Sequence, residues 1–502
     1  MTADLAPPPR QVRLGDASGR WVLIAAVLGS GLASIDATVV NVALPALGEE
    51  FDAGFAGLQW TVNGYTLTLA SLILLGGSLG DRFGRRRIFV IGVAWFALAS
   101  ALCAVAPSIE TLIAARALQG VGGALLSPGS LAMISASFAP GDRAKAIGAW
   151  SGFSGIATAI GPFLGGYLIA GPGWRWIFLI NVPLAAGVIA ITRRHVPETL
   201  DADAAPALDV VGAVLGAVGL GGVTYALIGA GSGWSTLQVG GAVVGAAAIG
   251  GFVWTEHRSP HPMVPPDIFD NRQFTAANLV TFAVYAALGG VFFLLVVNLQ
   301  VVAGFSPLLA GTALLPVTVI MLVLSAWAGA LAGRIGPRLP MTLGPAVAAG
   351  GVWLLMGVGA DATYLTDVLP GVAVFGLGLS LLVAPLTSTV LASADTRHAG
   401  VASGVNNAVA RAAGLLAVAI LPVIAGISGD DYQRPDAFAD SFQVAMMISA
   451  VLLVLGALIS VVSIRNPPRS GDQAAETDRH HHCGVDGPPL HLSPLESSGS
   501  SR

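Results

Sequence analysis

Two charged side chains interrupt long apolar stretches of this chain. Asp36 lies in LASIDATVVNVALP (residues 32–45), and Arg116 lies in LIAARALQGVGGALLSPGSLAMI (residues 112–134). A charge at the centre of a bilayer costs about 2.5 kcal/mol or more, so it needs a partner or a function. Counted at 1.5 Å per helical residue, the two charges lie at a similar depth from the same side. We therefore expect an acid–base pair.

This predicted pair has two interpretations. As a structural element, Arg116 neutralises Asp36 and fixes how two helices pack. As a mechanism, burial disfavours the ionised carboxylate and the guanidinium favours it, so separating them would switch protonation. A proton and a ligand could then compete for one carboxylate. We favour the second interpretation, because ionisable groups inside membranes are mostly functional.

A third charge, Arg411, lies in RHAGVASGVNNAVARAAG (residues 397–414), and the later apolar stretches offer no acid to pair with it. Three placements are open: the side chain snorkels to the interface, bonds backbone carbonyls, or faces a cavity and meets an anionic or carbonyl group. The side chains that could bind a ligand there, or hold helices together instead, are Asn41, Asn63, Tyr65, Gln119, Asn298, Gln300, Asn407 and Arg411.

The composition indicates a membrane protein with many spans. Of 502 residues, 54% are hydrophobic and 10% are charged, whereas a soluble protein has about 25% charged residues. The two cysteines, Cys103 and Cys483, argue against a disulfide framework. Apolar stretches predict 14 spans, at 21–43, 58–80, 88–106, 110–138, 144–169, 175–192, 208–230, 237–255, 274–301, 308–332, 341–360, 366–393, 400–427 and 440–464.

The charges between these spans predict the orientation. With the N-terminus inside, the cytoplasmic connections are rich in arginine, whereas the outer ones are acidic and hold only Arg175 and Arg434. This asymmetry and the even span count place both termini in the cytoplasm and the protein in the cell membrane. The predicted parts are a cytoplasmic leader (1–20), a six-helix bundle (21–195), two inserted spans (205–256), a second six-helix bundle (272–465) and a disordered cytoplasmic tail (466–502).

An internal repeat links the two predicted bundles. GSLGDRFGRRR (residues 77–87) ends the second span, and GALAGRIGPR (residues 329–338) ends the tenth. In the second copy Gly333 replaces the acid, so the halves are not chemically equivalent. Two parallel halves of this kind are typical of a transporter that rocks around a central site.

Several other classes lack their usual residues. Lys145 is the only lysine, so the chain has no G-x-x-x-x-G-K-[ST] loop to bind nucleotide phosphates. The eight histidines lie in predicted connections or in the tail, where they could not serve an intramembrane haem or metal centre. We therefore expect no enzyme, metal, cofactor or nucleic-acid partner. An ion gradient remains as the energy source.

These motifs together resemble the major facilitator superfamily. GSLGDRFGRRR resembles its loop motif, and the stretch around Arg116 is similar to its fourth-span motif. GIATAIGPFLGGYL (residues 155–168) resembles the fifth-span signature of its antiporters. LASIDATVVNVALP and WRWIFLINVP (residues 174–183) are similar to markers of the 14-span drug:proton antiporter branch.

The resemblance implies an all-α fold of two six-helix halves plus two inserted helices, with spans 1 and 4 adjacent. It implies proton-coupled export of a hydrophobic or amphipathic molecule, such as an antibiotic, by a monomer in the lipid bilayer. Asp36 would carry the proton and Arg116 would tune it. Lacking a second intramembrane acid, the protein should handle dicationic drugs poorly. The residues implied in inner-side gating are Gly77, Asp81, Arg82, Gly84 and Arg86, and those of the antiporter motif are Gly155, Gly161, Pro162, Gly165 and Gly166.

Each motif also has a simpler interpretation. The basic loop could serve only to orient the chain, although orientation does not require Asp81. The glycines of both motifs, which we expect at close helix contacts, could be ordinary packing. At the level of function, the alternatives are a metabolite facilitator or importer and a non-transporting membrane sensor. The sensor is disfavoured because the chain shows no output domain.

Overall fold

The computed structural model describes residues 12–201, 208–231, 233–260, 262–393, 399–429 and 431–466. Most of the predicted leader and nearly all of the predicted tail lie outside these ranges. Within them the chain is helical, without a strand. This agrees with the expected all-α fold, since a helix satisfies its own backbone hydrogen bonds inside a bilayer.

The helices follow the apolar stretches of the sequence. The first half comprises α1 (Ala17–Phe51), α2 (Phe55–Phe83), α3 (Arg85–Ala104), α4 (Ile109–Ser137), α5 (Pro140–Ala170), the short α6 (Arg175–Leu179) and α7 (Asn181–His195). A hairpin of α8 (Val210–Ala230) and α9 (Thr236–Arg258) comes next. The second half comprises α10 (Arg272–Val301), α11 (Pro307–Ala313), α12 (Leu315–Ile335), α13 (Arg338–Leu355), α14 (Leu369–Ala392), α15 (Ala399–Ile424) and α16 (Pro435–Ser463).

Thirteen helical segments of the described residues are long and apolar enough to cross a membrane. The exception is α13, where the sequence predicts a span at 341–360. This helix has 18 residues, begins at Arg338 and contains Pro340 and Pro345, which lower its hydropathy. It nevertheless packs on α14 and α16 inside the second half. The protein is thus a multi-pass membrane protein, and the count of fourteen spans stays a prediction.

In both halves, neighbouring helices pack closely through glycine residues. In the first half, a Cβ atom added at Gly122 would lie 3.0 Å from the carbonyl oxygen of Gly92, which joins α3 to α4. In the second half, a Cβ atom at Gly344 would lie 2.9 Å from the carbonyl oxygen of Gly378, which joins α13 to α14. Small residues allow such backbone contact where no hydrophobic effect drives helices together.

The halves meet at the end of the bundle where α1 connects to α2. Gln59 Nε2 on α2 donates to the carbonyl oxygen of Val418 on α15 at 2.7 Å. The Tyr432 hydroxyl donates to the carbonyl oxygen of Ala53 at 2.9 Å. The structure is therefore closed by direct hydrogen bonds at this end, which is the outer end in the predicted orientation.

Two neighbouring glycines of α2 differ in how closely they pack, which gives a test of this scaffold. A methyl group at Gly76 would overlap the carbonyl oxygen of Ala124, whereas one at Gly77 would make an ordinary contact of 3.7 Å with Pro128. We expect Gly76→Ala to destabilise the protein by about 1–3 kcal/mol, because α2 and α4 must separate. Gly77→Ala is the matched control and should leave stability unchanged.

The measurement is thermal unfolding of the purified protein in detergent. Equal unfolding temperatures for Gly76→Ala and Gly77→Ala would show that the α2–α4 contact is not as tight as the structure has it.

Candidate functional site

Asp36 lies on α1 and is completely buried. Its carboxylate faces Arg116 of α4, with 2.5 Å between Arg116 Nη1 and Asp36 Oδ2. Asp36 Oδ1 accepts from Gln119 Nε2 at 2.7 Å and from Asn181 Nδ2 at 3.1 Å. The structure thus brings the two predicted charges together and surrounds the acid with three donors.

Arg116 has partners besides the acid. Its Nη1 also donates to Gln119 Oε1 at 2.5 Å, and its Nε donates to the carbonyl oxygen of Thr61 at 3.2 Å. The guanidinium lies 4.5 Å from the centroid of the Tyr65 ring, which adds a cation–π contact. The arginine would therefore keep hydrogen-bond acceptors if Asp36 became neutral.

The surrounding helices hold these groups in place. Arg116 and Gln119 are three residues apart and so share one face of α4. Asn181 is the first residue of α7, and Ser100 on α3 accepts from both Gln119 and Asn181, at 2.7 and 3.3 Å. We call Asp36, Ser100, Arg116, Gln119 and Asn181 the Asp36 cluster. Sequence reasoning missed Ser100 and Asn181, although Asn181 lies within the quoted WRWIFLINVP stretch.

A cavity of about 450 Å³ lies between the two halves, lined by α1, α2, α5, α10, α12 and α15. Four of the predicted cavity residues line it: Asn41, Asn63, Asn407 and Arg411. The placement of Arg411 on the cavity wall selects one of its three predicted alternatives. Asp36 does not line the cavity, although its neighbours Ala37 and Thr38 do. A ligand in this cavity therefore does not touch the carboxylate, contrary to the expected direct competition.

The other four predicted cavity residues lie elsewhere. Gln119 belongs to the Asp36 cluster, and Tyr65 packs under the Arg116 guanidinium. Asn298 Nδ2 donates to the carbonyl oxygen of Val358, and Gln300 Nε2 donates to that of Val42. These two side chains tie α10 to the segment after α13 and to α1 instead of lining this cavity.

In the loop motif, Asp81 forms an ion pair that leaves Arg82 outside it. Asp81 binds Arg85 at 2.8 Å, whereas the Arg82 guanidinium lies over the Phe83 ring. Arg85 is missing from the predicted gating residues, as is Glu198, which accepts from the backbone N–H of Arg86 at 3.0 Å and so caps α3. Two of the glycines also differ from expectation, since Gly77 and Gly80 make only ordinary contacts, whereas Gly84 requires glycine because its φ is 106°.

The antiporter motif of α5 faces both halves. Gly161 and Gly165 lie so close to α1 that a Cβ atom would overlap Thr38 and Val39. Gly166 contacts the start of α11 in the same way, and Pro162 lines the cavity. Gly155 has open space around it, contrary to the expected helix contact. The motif thus joins the helix of Asp36 to the opposite half.

Removing one charge of the Asp36 cluster should destabilise the protein more than removing both charges. We expect Arg116→Leu to destabilise the protein by about 3–5 kcal/mol, because it leaves a buried carboxylate without its cation. The double variant Asp36→Asn/Arg116→Leu should regain part of that loss, since no charge remains. Thermal unfolding of the purified variants at neutral pH measures both effects. A double variant no more stable than Arg116→Leu alone would mean that the ion pair is not what the arginine provides.

Comparison with known proteins gives relatives named for drug resistance and export. The chain is 37% identical over 389 residues to the "Multidrug resistance protein Stp" of Mycobacterium tuberculosis, covering 77% of this chain and 72% of that protein. It is 35% identical over 433 residues to the "Tetracenomycin C resistance and export protein" of Streptomyces glaucescens, covering 84% of this chain and 78% of that protein.

The fold has solved counterparts. The crystal structure of the POT family transporter PepTSo superposes with a TM-score of 0.63 over 88% of this chain and 97% of that chain, at 14% identity. Such a low identity supports the fold alone. The family model described as "Major Facilitator Superfamily" matches residues 26–418. This match covers most of the chain, which therefore belongs to the major facilitator superfamily.

Proposed function

We propose that this protein exports a hydrophobic or amphipathic small molecule, such as an antibiotic, in exchange for protons. The observation that carries the proposal is the position of Asp36: fully buried, bound to Arg116, and next to cavity-lining residues of the same helix. The relatives named for multidrug resistance and for tetracenomycin C export support the substrate class and the direction. We further propose that it acts as a monomer in the cell membrane, with both termini cytoplasmic and without a nucleic-acid partner.

In this mechanism Asp36 binds and releases the proton. Protonation removes the negative charge, so the attraction that holds α1 to Arg116 on α4 weakens. Arg116 keeps the Gln119 and Thr61 oxygens as acceptors, which lowers the free-energy cost of neutralising Asp36. Gln119 and Asn181 can still donate to the neutral carboxyl group. The proton therefore changes how firmly α1 is tied to its own half.

That change reaches the cavity through α1 itself. Ala37, Thr38 and Asn41 form part of the cavity wall, and α1 also packs on α5, α10 and α11. A shift of α1 would alter the wall and the contact between the halves together. Rocking then requires the hydrogen bonds of Gln59 and Tyr432 to break at the outer end. At the inner end, the Asp81–Arg85 pair is placed to hold α2 against the start of α3.

The proposal predicts that Asp36→Asn abolishes drug accumulation driven by a proton gradient. The assay uses inverted proteoliposomes with an acidic interior and a panel of antibiotics that includes tetracenomycin C. Wild-type protein should concentrate its substrate inside. Asp36→Asn should still allow equilibrium exchange of substrate across the membrane but should not respond to the gradient, because the side chain can no longer be ionised.

Asp81→Asn is the matched control, since it removes a carboxylate outside the Asp36 cluster. We expect it to slow uptake while leaving the final gradient-driven accumulation intact. If Asp36→Asn still concentrates substrate as the wild type does, Asp36 is only a structural partner of Arg116. Substrate movement that is indifferent to the gradient even in the wild type would instead favour the metabolite facilitator.

A further inference from the structure

The cavity carries one formal charge among its lining residues. Arg411 lies there, and no aspartate, glutamate, lysine or histidine does. In the part of the chain that the structure describes, no carboxylate forms an ion pair with Arg411. A guanidinium presents a planar set of donors and no acceptor. The cavity wall therefore has an unpaired cation that suits an acidic or carbonyl oxygen.

The wall of the cavity also offers polar groups that lack partners. Asn63 on α2 is completely buried, and neither its Oδ1 nor its Nδ2 bonds to any group that the structure describes. Asn41 Oδ1 on α1 is likewise buried without a partner. A buried polar atom without a hydrogen bond is costly, so these groups need water or a ligand. Since both residues line the cavity, a ligand there can satisfy them.

The remaining surface of the cavity favours aromatic rings. Tyr285, Phe292 and Phe293 line it along one face of α10. A volume of about 450 Å³ lies within the range of sites for drug-sized molecules. Aromatic side chains bury large flat surfaces and stack with other rings.

Asp36, which adjoins the cavity-lining residues Ala37 and Thr38 in the sequence, does not reverse the sign of the charge at this site. Asp36 is excluded from the cavity wall and is already paired with Arg116, so the two charges largely cancel. A cationic ligand would thus enter a site that repels it through Arg411 and offers no carboxylate. An anionic or neutral ligand would gain a charge-assisted hydrogen bond.

We propose that the cavity selects aromatic molecules that are neutral or carry one negative charge. An acidic or carbonyl oxygen of the ligand accepts from Arg411, and a hydroxyl or amide group pairs with Asn63. This ligand class rests on the proposed export function, whose site it specifies. When a monoanion leaves the cell and a proton enters, both movements carry net positive charge inward. An inside-negative membrane potential therefore drives the export of the anion and the entry of the proton.

The test compares two dyes with the same ring system and opposite charge. Resorufin is a monoanionic phenoxazinone at pH 7.5, and oxonin is its cationic diamino analogue. Binding to the purified protein in detergent is measured by fluorescence anisotropy, without any gradient. The wild type should bind resorufin at least tenfold more tightly than oxonin.

Substitutions at the two anchors should change this preference in different ways. Arg411→Gln should weaken resorufin binding tenfold or more and abolish the preference for the anion, whereas Arg411→Lys should keep part of it. Asn63→Leu, which is similar in size, should weaken resorufin binding without removing the charge preference. Arg272→Gln, at the exposed start of α10, is the control and should bind both dyes like the wild type. Unfolding temperatures establish that each variant is folded.

The inference is overturned if wild-type protein does not bind resorufin, if it binds oxonin as tightly, or if Arg411→Gln keeps the wild-type affinity for resorufin. These results are independent of proton coupling. If Asp36→Asn loses gradient-driven uptake but the exported molecules prove to be cations, the ligand class is wrong and the proposed antiport stands. If the anion preference holds but Asp36→Asn remains coupled, the ligand class stands and the role of Asp36 is wrong.

Discussion

The burial of a single carboxylate constrains the first half of the protein. Without water, Asp36 needs every hydrogen bond from side chains, and its donors come from α4 and α7, with Ser100 of α3 as a shared acceptor. Four helices are therefore held in register around one charge. Losing Arg116 would leave Asp36 Oδ2 without a partner in a region where that is costly, whereas Oδ1 accepts from both Gln119 and Asn181. In the proposed mechanism, the same constraint lets several helices respond to a proton on Asp36.

The two halves share a scaffold but divide the chemistry. Both use glycine contacts between consecutive helices, at Gly92 and Gly122 in one half and at Gly344 and Gly378 in the other. The intramembrane acid and its arginine lie in the first half only, and the cation of the cavity wall comes from the second. Because the cavity lies between the halves, the proposed rocking motion would change the relation between Asp36 and Arg411. The asymmetry of charge thus matches the two tasks of the proposed exchange, which are binding the proton in the first half and binding the ligand at Arg411 of the second.

The sequence predicts those residues of the site whose type is unusual for their surroundings. A charge within an apolar stretch is rare, so Asp36, Arg116 and Arg411 were recognisable, and helical rise placed the first two at one depth. Depth does not reveal which face of a helix a residue occupies. The sequence therefore places Asn298 and Gln300 in the cavity, whereas in the structure they donate to backbone carbonyls. Asn181 and Ser100 had no distinguishing pattern, since neutral polar residues also serve as ordinary contacts between helices. The predicted gating residues omit Arg85, the partner of Asp81, because its position depends on the turn of the chain at Gly84, which is a matter of backbone geometry.

The separation of Asp36 from the cavity also bears on which molecules can be exchanged for a proton. If ligand and proton competed for one carboxylate, the ligand would have to be a cation. Here the acid is covered by its own cluster, and the link to the cavity is the backbone of α1, which carries Asp36 on one face and Asn41 on the cavity wall. Coupling through a helix requires that each protonation state of Asp36 favours a different shape of the cavity. A ligand shifts the equilibrium between the two shapes by as much as its affinities for them differ. In the proposed exchange, the proton therefore places no requirement on the charge of the ligand, and the proposed contact with Arg411 is left to set it.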